Sequence, residues 1–304
     1  MLALLLALGI TTAPDSPAWW DAAVSASLDR VPEKRDAWQA MLQKTPPAER
    51  PGMAYLVTYL PLRDLKSLDP AALAENVSLA YQARNAVPWG KSLPEPVFLD
   101  AVLPHASLTE PRQPMRAEFF QKYLSLVKDC QTPGDAAQKL NRALFRDYKV
   151  TYNTRRLRTD QASKESIAQG MATCTGLSIM LVEACRAVGV PARVAGIGSW
   201  PGRGGNHTWT EVWNDGWHFV GAAEPDDKGL DHAWFNGDAA KAIKAERRNA
   251  IWASSYKPTG ETFPLAWNPY AEIPGENVTD RYTGKAATAA APTQPPDGGG
   301  PPRR

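Results

Sequence analysis

The chain lacks a large net charge of either sign. Its 304 residues carry 34 Lys and Arg against 32 Asp and Glu, which leaves a net charge of +2. No stretch interleaves basic with aromatic residues as a nucleic-acid-binding surface does. The composition therefore predicts no nucleic-acid partner.

Long hydrophobic runs are also missing. The continuous apolar run, residues 2–10, is about half as long as a transmembrane helix requires. It begins without Lys or Arg, but Ala13 follows it like the cleavage region of a secretory signal, with Pro14 directly after. We therefore predict a signal peptide over residues 1–18 and export to the periplasm or the extracellular space. No stable membrane insertion is expected after removal of the leader.

Cysteine is scarce as well. The three cysteines are Cys130, Cys174 and Cys185, so at least one thiol is free whichever pair forms. Cys174 and Cys185 lie too far apart along one predicted helix to form a disulfide, whereas a pairing of Cys130 with Cys185 stays open. A free thiol is what a cysteine nucleophile requires.

Cys174 lies at the start of a predicted helix. Apolar residues recur at helical spacing from Leu177 to Val188, and Gly189 stops the run. Because Thr173 is a suitable N-cap, we expect Cys174 in the first helical turn. Free backbone N–H groups and the helix dipole favour a thiolate there and can stabilise an oxyanion. The alternative is a small buried core residue.

His207 opens a predicted strand that is followed by a hairpin. A two-residue turn at Asp215-Gly216 would place Glu224 directly opposite His207, with both side chains on one face. A thiol, an imidazole and a carboxylate are the groups of an acyl-transfer site. The rival acids Asp226 and Asp227 are expected beyond the end of the strand.

Three stretches together resemble the core of the transglutaminase-like superfamily. They are Cys174-Thr175-Gly176-Leu177-Ser178, Gly189-Val190-Pro191-Ala192-Arg193 and His207-Thr208-Trp209-Thr210-Glu211-Val212-Trp213. The resemblance covers about residues 130–235, and the preceding stretch is similar to the helical region of bacterial envelope members. It implies an α+β fold with a papain-like core, whose active-site helix packs on an antiparallel sheet after a helical region. It further implies Cys174 as nucleophile and His207 as base, with no cofactor.

The third catalytic position departs from the family pattern. The family usually carries Asp followed by Pro after a Trp-containing strand, but the position four residues after Trp217 is Gly221. The matching dipeptide is Glu224-Pro225. We predict that Glu224 replaces the Asp, because a carboxylate one methylene longer still accepts the imidazole N–H. Asp226 is the alternative.

Two further site residues are assigned by position. Gln169 lies five residues before Cys174, where papain-like enzymes place an oxyanion-hole side chain, or it is an ordinary polar loop residue. Trp209 is interpreted as part of a substrate groove, or as a core residue of its strand. His218 and His232 match no zinc-binding spacing, so no metal site is predicted.

Composition and periodicity divide the chain into four parts. The leader is followed by helices broken by proline over residues 19–128, the transglutaminase-like core over residues 129–255, and an extended tail over residues 256–304. From about Ala286 the tail is too rich in Pro and Gly to form a core, so we predict that it is disordered.

The predicted function is cysteine-dependent acyl transfer on peptide or protein amides through a thioester. If water resolves the thioester, the protein is a protease or amidase, and if an amine does, it is a transglutaminase-type enzyme. The alternative is a non-catalytic binding or scaffold module of the cell envelope, in which the third catalytic position has drifted. Either reading implies a peptide or protein partner, and the oligomeric state stays open.

Overall fold

The computed structural model of the protein describes residues 18–284. Nearly all of the predicted leader and the last twenty residues of the predicted tail lie outside this stretch. Within it, a helical N-terminal region is followed by helices packed on a five-stranded antiparallel sheet. This arrangement confirms the predicted α+β fold class. None of the helices in the described stretch is long and apolar enough to cross a membrane.

Proline begins helices in the N-terminal region instead of only ending them, since the first helical turn does not need its N–H groups. Buried Leu28, Trp38, Leu56, Val77 and Phe98 belong to one apolar cluster of this region. The helices are α1 Ala22–Asp29, α2 Arg35–Gln43, α3 Arg50–Tyr59, α4 Leu62–Ser67, α5 Pro70–Ala86, α6 Glu95–Ala101 and α7 Arg116–Val127.

Helix α7 joins the helical region to the core. Its Phe119 and Val127 are buried in the apolar cluster of the core. Its first residue, buried Arg116, donates 2.7 Å hydrogen bonds to Asn76 Oδ1 and to the carbonyl of Arg186. These bonds satisfy a guanidinium whose pKa burial lowers to about 9. The two regions are therefore held together by a buried polar contact as well as by apolar packing.

The core begins with a long amphipathic helix and continues with short helices and strands. Its elements in chain order are α8 Pro133–Tyr148, β1 Thr151–Tyr152, α9 Ser163–Gln169, β2 Met171–Ala172, α10 Cys174–Ala187, β3 Ala192–Ile197, β4 His207–Trp213, β5 Trp217–Val220, α11 Asn236–Ala239, β6 Ile251–Ser254, β7 Gly275–Asn277 and α12 Thr279–Thr283.

Both faces of the main sheet are covered. Its strand order is β5-β4-β3-β6-β7, and every neighbouring pair is antiparallel. Helix α10 packs against β3 and β4, where Val194 and Val212 share its apolar cluster. On the other face, Trp209 and Phe235 belong to a second apolar cluster. Strand β4 is consequently buried on both sides.

The predicted register of the β4–β5 hairpin is wrong by one residue. Trp213 pairs with Trp217, so the connection has three residues instead of two. Asp215 takes a left-handed φ of +58° within it, and the side chain of Asn214 accepts a hydrogen bond from the Gly134 N–H at 3.2 Å. This contact with α8 fixes Asn214 outside the pairing.

Residues 256–284 are not an extended tail. Strand β7 pairs with β6 at the edge of the sheet, and buried Tyr282 of α12 donates to Glu211 Oε1 at 2.8 Å. Glu211 also pairs with Arg193 and Arg281. The buried carboxylate therefore attaches the C-terminal segment to the sheet, and the predicted boundary at residue 255 is corrected accordingly.

Candidate active site

The helix start places Cys174 against strand β4. Thr173 has the extended backbone of an N-cap, φ −93° and ψ 179°, which leaves Cys174 as the first helical residue. Its thiol accepts hydrogen bonds from the backbone N–H groups of Thr208 and Thr175. The hydroxyl groups of Thr175 and Thr208 are 3.1 Å apart. The sulfur therefore lies beside the backbone that directly follows His207.

The environment of Cys174 favours a neutral thiol. Burial raises the pKa of Cys174, and the hydrogen bonds from Thr208 and Thr175, which favour the thiolate, only partly offset this effect. The negative charge of Glu224 acts in the same direction as burial. The helix start alone therefore does not yield a thiolate in the described state, because burial outweighs the hydrogen bonds that favour one.

His207 lies at the first position of β4, with its imidazole enclosed by aromatic rings. The ring centroids of Trp234 and Phe235 are 4.9 and 5.0 Å from that of His207. Its Nε2 is buried and has no hydrogen-bond partner within residues 18–284. Burial, assisted by the cation of Arg203, lowers the pKa of His207 to about 3. The imidazole is therefore neutral at physiological pH.

Glu224 reaches the site through a turn and not through strand pairing. Strand β5 ends at Val220, and the Glu224 N–H donates to the carbonyl of Gly221 at 3.2 Å. A Cβ atom built on Gly221 would overlap the carboxylate of Glu224, whose Cβ and Cδ lie 3.0 and 3.2 Å from that point. The carboxylate therefore occupies the space of a side chain at position 221, where the family pattern has its acid.

Asn141 of α8, which no sequence pattern singles out, holds this turn in place. Its side chain is buried, donates to the Gly221 carbonyl at 2.8 Å and accepts from the Ala223 N–H at 2.9 Å. Ala223 has a left-handed φ of +64°, a conformation that a non-glycine residue adopts only when its surroundings enforce it. Asn141 thus positions Glu224, and only the fold brings the two residues together.

Trp234 separates the base from the acid. Its Nε1 donates to both carboxylate oxygens of Glu224, at 3.2 and 3.1 Å, while its ring packs on His207. Among the described residues, no hydrogen bond joins His207 to Glu224 or to Cys174. The structure therefore brings the three groups to one end of β4 but leaves the imidazole unconnected to the other two.

Comparison with known protein families identifies this part of the chain. Residues 122–222 match the transglutaminase-like superfamily, and Cys174 and His207 lie within the match. The chain contains a transglutaminase-like domain. Asn141 and Gly221 also belong to the matched stretch, whereas Glu224 and Trp234 follow it.

Likeness to individual proteins is limited. A candidate cysteine protease from Cytophaga hutchinsonii, known from a crystal structure, shares 16% identity with a TM-score of 0.30, over 38% of this chain and 39% of its own. A likeness of this extent carries no argument about activity. A search of curated proteins found no significant match.

The rival acids Asp226 and Asp227 have other partners. Asp226 pairs with Nδ1 of His232, and Asp227 pairs with Arg142 at 2.8 Å. Within residues 18–284, no three His, Cys, Asp or Glu side chains are grouped to hold a metal ion. Glu224, in contrast, accepts hydrogen bonds from Trp234, whose ring packs on His207.

Trp209 and Gln169, the two residues assigned by position alone, have different surroundings. Trp209 is completely buried, stacks on Phe235 with ring centroids 4.7 Å apart, and donates to Tyr282 Oη at 2.8 Å. It is therefore a core residue and not part of a groove, because the second face of the sheet is covered. Gln169 Oε1 accepts from the Leu157 N–H at 3.0 Å, and its oxyanion-hole role stays a prediction.

The raised pKa of Cys174 predicts alkaline reactivity. A group with a raised pKa stays protonated to higher pH. The rate at which iodoacetamide alkylates Cys174 should therefore keep rising through pH 9. At each pH it should be lower than the rate for the same cysteine in denatured protein. Peptide-resolved mass spectrometry separates Cys174 from buried Cys130 and Cys185. A plateau at or below pH 7 would reveal a resting thiolate–imidazolium pair instead.

Proposed function

We propose that the protein catalyses cysteine-dependent acyl transfer on peptide or protein amides. The observation that carries this proposal is the 3.1 Å contact between the hydroxyl groups of Thr175 and Thr208, the residues that follow Cys174 and His207. It supports the placement of Cys174, as nucleophile, close to His207, as general base, within the transglutaminase-like domain. Glu224 supplies the third group, because its carboxylate occupies the space that a side chain at position 221 would take.

In the proposed reaction, the sulfur of Cys174 attacks the amide carbonyl while its proton passes to His207. Free N–H groups of the first helical turn stabilise the oxyanion. The amide nitrogen then leaves with the proton from the imidazolium, which produces a thioester. Water or an amine attacks the thioester and gives its proton to His207. The sulfur then leaves and takes this proton from the imidazolium, which restores the thiol.

The described arrangement corresponds to a resting state of this reaction. A neutral thiol next to a neutral imidazole of low pKa is a weak nucleophile–base pair. We propose that the Glu224 carboxylate leaves the indole of Trp234 during turnover and accepts from the imidazole, which would raise the pKa of His207. The Trp234→Phe variant tests this step, because it removes the indole N–H that binds the carboxylate.

The fate of the thioester separates the enzyme classes. We would incubate the protein with a mixture of peptides and a primary amine, and analyse the products by mass spectrometry. New peptide termini indicate a protease, conversion of Gln to Glu an amidase, and amine adducts a transglutaminase-type enzyme. Each product should be absent with Cys174→Ala.

The second candidate is the non-catalytic binding module. The enclosed imidazole, with its unpartnered Nε2 and its depressed pKa, favours this candidate. It predicts that none of the three products forms, even though peptides bind to the native protein.

We also propose that the protein is exported, which rests on the apolar run at residues 2–10. Mass spectrometry of protein purified from its native host should find a mature start between Ala13 and Trp19, because signal cleavage follows small residues. Protein that retains Met1 and is found in the cytoplasm would exclude export.

A further inference from the structure

The guanidinium of Arg156 lies at the start of α10, and no acidic side chain among residues 18–284 pairs with it. Its Nε donates to Oγ1 of Thr173, the residue before Cys174, at 3.3 Å. Its other two nitrogens donate to Thr159 Oγ1 at 2.9 Å and to the Thr154 carbonyl at 3.4 Å. These bonds fix the position of the group but use only three of the five N–H donors of an arginine.

Two neighbouring arginines, unlike Arg156, have acidic partners. Arg158 pairs with Glu165 at 3.2 Å, and Arg203 pairs with Asp238. No carboxylate within residues 18–284 forms an ion pair with Arg156. Its charge is therefore available to a ligand at the edge of the site.

The pKa of Tyr152 responds to three charged groups around the candidate site. Partial burial raises this pKa, the charged forms of Cys174 and Glu224 also raise it, and the cation of Arg156 lowers it. Cys174, Arg156 and Glu224 thus each lie within electrostatic range of Tyr152. The side chain of Tyr152 is 61% exposed and that of Leu157 is 63% exposed, so solvent and ligands have access to this edge.

We propose that Arg156 binds a carboxylate of the acyl donor, so that the preferred substrate is an acidic peptide with its carboxylate close to the scissile amide. A guanidinium with free N–H groups in a fixed plane matches a carboxylate. Because three hydrogen bonds already hold the side chain, binding costs little further side-chain entropy. The proposal rests on the proposed function and specifies its substrate class.

A purely structural role for Arg156, as support for Thr173, makes a different prediction. Loss of that support would displace Cys174 and slow its reaction with every reagent equally. Loss of an anion-binding charge would instead slow anionic reagents selectively. The ratio of two alkylation rates therefore separates the two roles without any knowledge of the substrate.

The test compares iodoacetate with iodoacetamide as reagents for Cys174 in the full chain, with peptide-resolved mass spectrometry at low ionic strength. In Arg156→Gln, the iodoacetate to iodoacetamide rate ratio should fall about fivefold, as for one partly exposed charge contact. Arg156→Lys should retain most of the ratio, and added salt should lower it in the parent. The matched control Arg158→Gln should leave it unchanged.

An unchanged ratio in Arg156→Gln would overturn the proposal, as would an equal fall in Arg158→Gln. Turnover of paired peptides that differ in Glu or Gln beside the scissile amide gives the second readout. Arg156→Gln should raise KM for the acidic peptide and leave KM for the neutral peptide unchanged. If no peptide is turned over but the rate ratio falls in Arg156→Gln, the proposed function alone is rejected. If peptides are turned over without a preference for the acidic one and the rate ratio stays unchanged, the anion site alone is rejected.

Discussion

Cys174→Ala is expected to abolish acyl transfer while the fold persists. The thiol forms the covalent bond to the substrate, so removal of a nucleophile should lower kcat by roughly 10⁴-fold or more. The side chain is small and partly exposed, and its replacement should change the thermal unfolding temperature little. Steady-state turnover and a thermal unfolding curve check both expectations.

Cys185→Ala is the matched control on the same helix. Cys185 is completely buried, and burial raises its pKa to about 12, so it supplies no thiolate. We expect this variant to lose about 1 kcal/mol of unfolding free energy, as for a small buried group, with turnover retained. Activity that disappears in Cys185→Ala and survives in Cys174→Ala would reverse the assignment.

Glu224→Ala should lower kcat by about 10²-fold or more, as loss of an orienting carboxylate does in related sites. The structure predicts a specific rescue. Because the carboxylate occupies the side-chain space of Gly221, and Gly221 lacks a left-handed φ, Gly221→Asp combined with Glu224→Ala should recover part of the activity. Gly221→Asp alone should be destabilised by the overlap. Rates and unfolding midpoints of the three variants measure this coupling.

The neighbouring acids supply controls for Glu224. Asp226→Asn removes a charge paired with His232, and Asp227→Asn one paired with Arg142, so both should leave turnover nearly unchanged. A larger loss with Asp226→Asn than with Glu224→Ala would assign the third position to Asp226.

Trp234→Phe tests the proposed release of Glu224. The variant retains an aromatic ring against His207 but loses the indole N–H that binds the carboxylate. If release activates the base, kcat should stay the same or rise. A loss as large as that of Glu224→Ala would show that the indole donor itself is needed.

The sequence was sufficient for the local parts of the candidate site. Thr173 and the apolar spacing from Leu177 located the start of α10, and the run that begins at His207 located β4. These features depend on local backbone conformation and apolar periodicity, which can be read from neighbouring residues. The family match confirms the transglutaminase-like resemblance.

Features that depend on distant contacts could not be predicted in the same way. The hairpin register differs because Asn214 bonds to the backbone of Gly134, which is eighty residues away in sequence. Trp209 is buried because residues 235 and 282 cover the second face of the sheet. The pKa of Cys174 depends on burial, which a helix-start argument does not include.

The most direct test of the account is the formation of a thioester on Cys174. Rapid mixing of the native protein with p-nitrophenyl acetate, followed by intact-mass and peptide-mass spectrometry, should reveal one acetyl group per chain on Cys174. Hydroxylamine should remove it, and Cys174→Ala should remain unmodified. Nitrophenol release without acetylation of Cys174, or a Cys174 that stays unmodified while the unfolded chain reacts, would contradict the assignment of Cys174 as an acyl-transfer nucleophile.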